Sequence, residues 1–220
     1  MSTTLVINAH PSYNSEDSYS KKMQDIFKQK FKLEFPTEDF DVLNLYEEIV
    51  PRIEEGGLLT VWDKQMNNLE LTIEELEIAK KSESLVDQFI SHHRIVIVSP
   101  LHNFNITSRL KDYIDNILIA KKTFRYTESG SEGLMINDYK VLLLQASGGI
   151  YTDNDRYTSL EFSYYYLKEM FENLMGFDNF YIVRAQGTTI QPIQSQKIIE
   201  QAEHEIKSVF ENFYGKSKKR

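Results

Sequence analysis

The chain has 220 residues, of which 25 are Lys or Arg, 33 are Asp or Glu and none is Cys. The formal net charge of -8 disfavours a nucleic-acid binder, which usually shows a basic surface. The lack of cysteine excludes disulfides, thiolate metal sites and a cysteine nucleophile. Hydrophobic residues make up 41% of the chain and charged residues 26%, as is usual for a globular protein with a buried core.

The N-terminal segment lacks the features of a targeting sequence. Its first four residues carry no positive side chain, and the apolar run Leu5–Ile7 is too short for the core of a signal peptide. No stretch approaches the roughly 20 apolar residues that a transmembrane helix needs. We therefore expect a cytoplasmic protein with neither a membrane partner nor a nucleic-acid partner.

Short apolar runs alternate with longer amphipathic segments along the whole chain. The predicted strands are 4–8, 41–45, 95–98, 141–144 and 180–183. The predicted helices are 15–31, 72–92, 108–120, 160–175 and 194–213. Five strand–helix units predict an α/β protein with a flavodoxin-like, doubly wound, five-stranded parallel sheet and helices on both faces. In such folds, ligands bind at the carboxyl ends of the strands.

The domain organisation follows from the absence of internal breaks. No repeat and no linker rich in Pro, Gly or Ser interrupts the alternation of strands and helices. We predict a single domain over 1–214 and a short, solvated basic tail over 215–220. The segment 46–70, which contains Trp62, is expected to be an excursion between the second strand and its helix.

A polar loop, 8–15, follows the first strand, and Ser18, Tyr19 and Ser20 stand at the start of the next helix. A helix N-terminus presents free N–H groups and a positive dipole end, which suit a phosphate. The same residue types are also common N-caps and turn formers, which need no ligand. Neither glycine pattern of the usual nucleotide-binding loops is present.

Two further loops follow the third and fourth strands. In the first, 99–106, Pro100 ends the strand ladder, and Asn103 supplies an amide. In the second, 146–150, Gly148 and Gly149 allow a flat ligand to approach the backbone closely, although a plain turn also explains them. The three loops meet at one edge of the sheet, where together they could hold a phosphate, a ring edge and a ring face.

Several segments of the chain resemble the FMN-dependent NADH azoreductases, which belong with the NAD(P)H:quinone oxidoreductases among the flavodoxin-like flavin reductases. The matching segments are 100–106, 110–115, 123–130, 132–134 and 147–150. The similarity in order and spacing covers essentially the whole chain and is strongest over 99–151.

The resemblance implies a flavin site at the three loops. The FMN phosphate would be held by Ser18, Tyr19 and Ser20, with His10 replacing a contact that some relatives make through a serine at the position of Ala9. The isoalloxazine would be lined by Pro100, Leu101, His102, Asn103 and Phe104. Its pyrimidine edge would meet Ser147, Gly148 and Gly149.

The resemblance also implies a substrate pocket formed by Phe104, Tyr126 and Tyr151, with Tyr126 reaching it across the interface of a homodimer. Relatives often carry Tyr or Trp at the position of His102 and Arg at that of Ser147. Both departures change the space around the flavin, so the resemblance leaves the preferred substrate open.

The implied activity is that of an FMN-dependent NADH:quinone oxidoreductase or azoreductase. Electrons would pass from NADH or NADPH to a quinone or azo compound by ping-pong hydride transfer through FMN, with FAD the less favoured flavin. We expect no catalytic side chain, because the flavin carries the chemistry. We also expect no metal site, since His92 and His93 point to different helix faces. Two alternatives remain: a flavodoxin-like electron carrier and a non-catalytic flavin-binding protein.

Overall fold

The main sheet has five parallel strands, as predicted. In the computed structural model, which describes residues 3–215, they are β1 (Thr4–Asn8), β2 (Asp41–Asn44), β3 (Arg94–Pro100), β6 (Lys140–Ala146) and β7 (Asn179–Ala185). Their order in the sheet is β2-β1-β3-β6-β7, and every neighbouring pair is parallel. The flavodoxin-like α/β prediction is confirmed. All but the first residue of the predicted tail, 215–220, lies outside the described residues.

Within residues 3–215, six α-helices accompany the sheet. They are α1 (Tyr19–Glu34), α2 (Leu58–Met66), α3 (Ile73–Ser91), α4 (Ser108–Ile117), α5 (Phe162–Lys168) and α6 (Ser195–Tyr214). A 3₁₀ turn, Thr158–Leu160, precedes α5, and a π-helical turn, Glu169–Leu174, continues it. The segment predicted as one helix over 160–175 therefore changes its hydrogen-bonding pattern partway along.

Alternate residues of a strand face opposite sides of the sheet, so the sheet separates two cores. One core contains Leu5 and Ile7 together with residues of α3, α4 and α5. The other contains Val6 with Phe27 of α1 and Phe210 of α6. Strands buried on both faces are typical of a parallel sheet covered by helices, and this arrangement leaves the loops at the strand ends as the accessible part of the sheet.

The structure differs from the sequence prediction at four further points. The first helix begins at Tyr19 and not at 15, because Ser18 caps it, and α4 ends at Ile117 and not at 120. The excursion 46–70 contains α2, which was not predicted. Two unpredicted strands form an antiparallel hairpin: β4 (Phe124–Thr127) and β5 (Gly130–Gly133).

The amino edge of the sheet contains two buried cations. Lys140, at the start of β6, donates from Nζ to the carbonyl oxygens of Asn212 at 2.8 Å and Gly215 at 2.5 Å. Arg94, at the start of β3, is 1% exposed and pairs with Asp138 at 2.8 Å. The end of α6 is thus held against the edge opposite to the ligand-binding edge of such folds.

Residues 3–215 contain neither a membrane-spanning helix nor a cluster of metal-ligating side chains. No helix in this part of the chain is long and apolar enough to cross a membrane. No group of three or more His, Cys, Asp or Glu side chains there is arranged to hold a metal ion.

Candidate functional site

The loops that follow β1, β3 and β6 meet at the carboxyl edge of the sheet around a cavity of about 220 Å³. These strands are parallel and adjacent, so their carboxyl ends share one edge. The cavity is lined by His10, Asp17, Ser18, Tyr19, Ser20, Pro100, Leu101, Ala146, Ser147, Gly148 and Thr188. Eight residues predicted to bind the cofactor therefore lie around one space.

The N-terminus of α1 forms one wall of the cavity. Ser18 is the N-cap, and its Oγ accepts the backbone N–H of Lys21 at 3.4 Å. The N–H groups of Tyr19 and Ser20 find no acceptor among residues 3–215, as expected for the first turn of a helix. The hydroxyl of Ser20 is buried and also has no partner within the described chain. This wall therefore offers several unused hydrogen-bond donors.

Two side chains at the start of α1 make their contacts outside the cavity. The Tyr19 hydroxyl donates to Ser195 Oγ at 2.6 Å, at the start of α6. Lys21 forms ion pairs with Asp25 and Glu16 and does not line the cavity. Among the described residues of the lining there is one acidic side chain, that of Asp17, and no Lys or Arg side chain, so an anion here would be bound by neutral donors.

His10 presents a donor to the same space. The backbone N–H of Ser12 donates to its Nδ1 at 3.0 Å, so the neutral ring carries its proton on Nε2. Burial lowers the pKa of His10 below its usual value, which favours this neutral form. The loop is held from below, because the side-chain oxygen of Asn8 accepts the His10 N–H at 2.9 Å.

The loop after β3 turns sharply above the sheet. His102 and Asn105 exchange backbone hydrogen bonds of 2.9 and 3.0 Å, and the two residues between them, Asn103 and Phe104, have φ values of 46° and 67°. Positive φ at both central positions is typical of a type I′ turn. The ring of Phe104 contacts that of Tyr151, with centroids 6.2 Å apart.

In the loop after β6, the carbonyl groups accept hydrogen bonds but two N–H groups have no acceptor within the described chain. The carbonyls of Ser147, Gly148 and Gly149 accept the N–H groups of Thr188, Thr189 and Gly187, respectively. The N–H groups of Gly148 and Gly149 have no acceptor in the described part of the chain. A fourth loop, after β7, thus holds this one through three backbone hydrogen bonds.

The two glycines differ in their need for a small residue. A Cβ on Gly148 would lie 2.9 Å from Thr189 Oγ1, whereas a Cβ on Gly149 would make ordinary contact with Tyr151 at 3.5 Å. Neither residue has a positive φ. Glycine is therefore required at 148 because Thr189, in the protein's own fourth loop, approaches the backbone closely at this point.

Four residues predicted to bind the cofactor and two substrate-pocket residues lie outside the cavity lining. The former are His102, Asn103, Phe104 and Gly149, on or next to the loops that form it. Tyr151 stands two residues after Gly149 and is partly buried. Tyr126 lies on the β4–β5 hairpin and is 77% exposed.

Sequence reasoning missed the contribution of the fourth loop. Thr188 lines the cavity and donates from its hydroxyl to the Ser147 carbonyl at 3.1 Å. The available signal was the position of residues 186–189 at the carboxyl end of a predicted strand. Asp17 was also missed, although it directly precedes the predicted serine pair.

Comparison with known proteins places this chain in a family. A family model described as the flavodoxin-like fold matches residues 2–210. The FMN-dependent NADH:quinone oxidoreductase 1 of Lactiplantibacillus plantarum is 50% identical over 214 residues, which cover 97% of this chain and all of that protein. The FMN-dependent NADH:quinone oxidoreductase of Streptococcus agalactiae is 44% identical over 213 residues, covering 97% of this chain and 99% of that protein.

A solved structure agrees with these relatives. The FMN-dependent NADH-azoreductase from Bacillus anthracis, in complex with FMN, superposes with a TM-score of 0.91 at 43% identity, covering 96% of this chain and 99% of that one. The fold and the converging loops define a flavodoxin-like protein. Within that fold, the chain belongs to the family of the FMN-dependent NADH:quinone oxidoreductases and azoreductases. The resemblance seen in the sequence is confirmed.

Proposed function

We propose that this protein is an FMN-dependent NADH:quinone oxidoreductase that also reduces azo compounds. The observation that carries the proposal is the set of unused donors around the cavity: the buried Ser20 hydroxyl, the N–H groups at the start of α1 and those of Gly148 and Gly149. Relatives with this name, 44% and 50% identical over nearly the whole chain, support it. Bound FMN would supply the redox chemistry by accepting and donating a hydride.

The phosphate of FMN fits the N-terminus of α1. The donors there are the N–H groups of Tyr19 and Ser20, the Ser20 hydroxyl and Nε2–H of His10, and the dipole of a 16-residue helix adds to them. Ser18 accepts from Lys21 but keeps its own O–H to donate. The phosphate would satisfy a buried hydroxyl that otherwise has no partner, which favours binding.

The ring of FMN fits the loops after β3 and β6. Pro100 and Leu101 offer an apolar surface, and the N–H groups of Gly148 and Gly149 are donors for the polar ring edge. Preorganised donors of this kind stabilise negative charge where it develops. His102, Asn103 and Phe104 would border the ring from the turn above the sheet, while Phe104 and Tyr151 form an aromatic contact suited to a flat acceptor.

The reaction needs no acid or base from the protein. We propose that NADH and the acceptor occupy one pocket in turn, so that the kinetics are ping-pong. The protein binds and orients the reactants and excludes water from the flavin, and solvent supplies the protons. NADPH remains an alternative donor, because the described lining contains no cation that would favour or reject a 2′-phosphate.

We also propose that the enzyme is a homodimer in which Tyr126 completes the substrate pocket of the other protomer. Its ring contacts Phe124 edge-on and stays 77% exposed, which leaves it accessible to a second protomer. The predicted single domain, 1–214, is supported by one sheet that is shared by both cores. A cytoplasmic location stays a prediction.

The function is tested by titrating the purified, flavin-free protein with FMN and then adding NADH without oxygen. We expect flavin absorbance that bleaches with NADH and returns when a quinone is added, with parallel double-reciprocal plots. Bleaching that needs a separate reductase would identify an electron carrier. Bound FMN that NADH does not bleach would identify a non-catalytic flavin protein. Protein kept free of flavin is the control.

A further inference from the structure

A buried polar cluster lies behind the candidate site, at the ends of β6 and β7. Its centre is Glu161, whose side chain is 3% exposed. Oε1 of Glu161 accepts hydrogen bonds from Gln145 Nε2 at 2.9 Å, Ser163 Oγ at 2.6 Å and the Tyr164 N–H at 3.0 Å. Oε2 lies 3.5 Å from the guanidinium of Arg184. One carboxylate thus joins two strands to the start of α5.

The start of α5 is in turn bonded to the loop after β3. Glu161 is the N-cap of α5, and the N–H of the next residue, Phe162, donates to the carbonyl of Phe104 at 2.9 Å. Phe104 and Asn103 occupy the left-handed region, which a non-glycine residue adopts only when its surroundings hold it there. Two backbone hydrogen bonds between His102 and Asn105 close this turn, and the Phe162 N–H supplies a further one from outside it.

We propose that Glu161 is a positioning residue for the flavin site. Its carboxylate fixes the first turn of α5, and the Phe162 N–H transmits that position to the turn over 102–105. The inference rests on the proposed function, in which this turn borders the flavin ring. A buried carboxylate with several donors has one strongly favoured geometry, because losing any of these bonds leaves a buried polar group without a partner.

A purely structural alternative makes a different prediction. If Glu161 serves only as a helix cap, its loss lowers the free energy of unfolding but leaves the turn over 102–105 unchanged in the folded protein. If it positions the turn, its loss loosens the Phe162–Phe104 hydrogen bond while the protein is folded. Amide hydrogen exchange at Phe162 separates the two, since it reports local opening.

The first experiment compares Glu161→Ala with Glu169→Ala in flavin-free and FMN-bound protein. Glu169 is an exposed carboxylate in the same helical run and bonds only to Asn173, so it is the matched control. We expect Phe162 exchange in Glu161→Ala to be at least about ten-fold faster, with FMN bound about five-fold more weakly, as for loss of one or two hydrogen bonds. Glu161→Gln keeps Oε1 as an acceptor and should recover most of the exchange protection.

A second pair of variants tests the hydrogen bond itself, in case Glu161→Ala fails to fold. Phe162→Ala removes the ring and keeps the N–H, whereas Phe162→Pro removes both, and proline is tolerated at the first position of a helix. We expect FMN to bind about five-fold more weakly to Phe162→Pro than to Phe162→Ala. Both variants are compared in the flavin difference spectrum, which reports the surroundings of the ring.

The outcomes are separable from those of the proposed function. If the wild-type protein binds no FMN, the proposed function fails, but Phe162 exchange in the flavin-free protein still decides whether Glu161 positions the turn. Exchange and FMN affinity that stay at wild-type values in Glu161→Ala overturn the inference. So do equal affinities and difference spectra for Phe162→Pro and Phe162→Ala.

Discussion

Ser18 and Ser20 are separated by one residue at the start of α1, yet their hydroxyls are in opposite situations. Oγ of Ser18 accepts the Lys21 N–H and caps the helix, whereas Oγ of Ser20 is buried with no partner within the described chain. One serine therefore stabilises the fold without a ligand. The other gains a partner only when a ligand supplies one, which gives the pair opposite responses to substitution.

We expect Ser20→Ala to weaken FMN binding at least about ten-fold, because it removes a hydrogen bond to a charged group. The flavin-free variant should be as stable as the wild type or more so, since a buried hydroxyl without a partner is lost. Ser18→Ala should instead lower the free energy of unfolding by about 1 kcal/mol, as for loss of an N-cap. Urea denaturation and fluorescence titration measure the two effects, and equal loss of stability in both variants would contradict this assignment.

His10 should make the flavin-free protein less stable in acid. Burial lowers its pKa in the folded state below the usual value of about 6.5, so on acidification the unfolded chain takes up the proton first. The contribution of neutral His10 to stability is complete above the pKa that His10 has in the unfolded chain. It is lost as the pH falls through the pKa that His10 has in the folded protein. Between about pH 7.5 and pH 5.5, the free energy of unfolding should therefore fall more in the wild type than in His10→Gln. A pH profile of His10→Gln that matches the wild type's would contradict this prediction.

Gly148→Ala should destabilise the protein through Thr189. The added Cβ would meet Thr189 Oγ1 at 2.9 Å and displace a hydroxyl that donates to the Gly148 carbonyl, so the free energy of unfolding should fall by about 1 kcal/mol. Thr189→Ala in the same chain should recover most of this loss by removing the clash. Gly149→Ala is the control, since its Cβ has room, and a stability loss as large as that of Gly148→Ala would refute the argument.

Lys140→Met should separate stability from flavin binding. The substitution removes the short hydrogen bonds to the carbonyls of Asn212 and Gly215 and leaves them the longer ones from Tyr181 at 3.4 Å and Arg94 at 3.5 Å. The free energy of unfolding should fall by about 2 kcal/mol. FMN affinity should change less than about two-fold, because distant sites act independently. Lys207→Met, at an exposed Lys paired with Glu203, should affect neither quantity measurably. Weakened FMN binding in Lys140→Met would mean that the two edges of the sheet are coupled.

The sequence was sufficient for the main sheet because its strands are buried on both faces. Runs such as Ile95–Val98 are continuous and β-branched, a pattern that few other structures produce. The β4–β5 hairpin gave no such signal, since Arg125, Tyr126 and Thr127 are exposed and carry no alternation of polar and apolar residues. The helix α2 is short and buries only Leu58 and Val61, too few for a periodic pattern.

The candidate site was predictable where its residues follow a strand directly. Convergence of the loops after β1, β3 and β6 follows from parallel strands alone, and it brought Ser20, Leu101 and Gly148 to one cavity. The roles of the fourth loop and of Glu161 depend on contacts between segments far apart in the chain. Their residue types are ordinary for turns and helix caps, so no local pattern distinguished them.

The position of Gly215 has a practical consequence. Because Lys140 holds Gly215 at the amino edge of the sheet, a surface linker attached at residue 215 starts from the side opposite the cavity. Immobilising the protein through this residue should therefore leave the entrance open to dissolved dyes and quinones, whereas coupling through lysines near α1 would give mixed orientations.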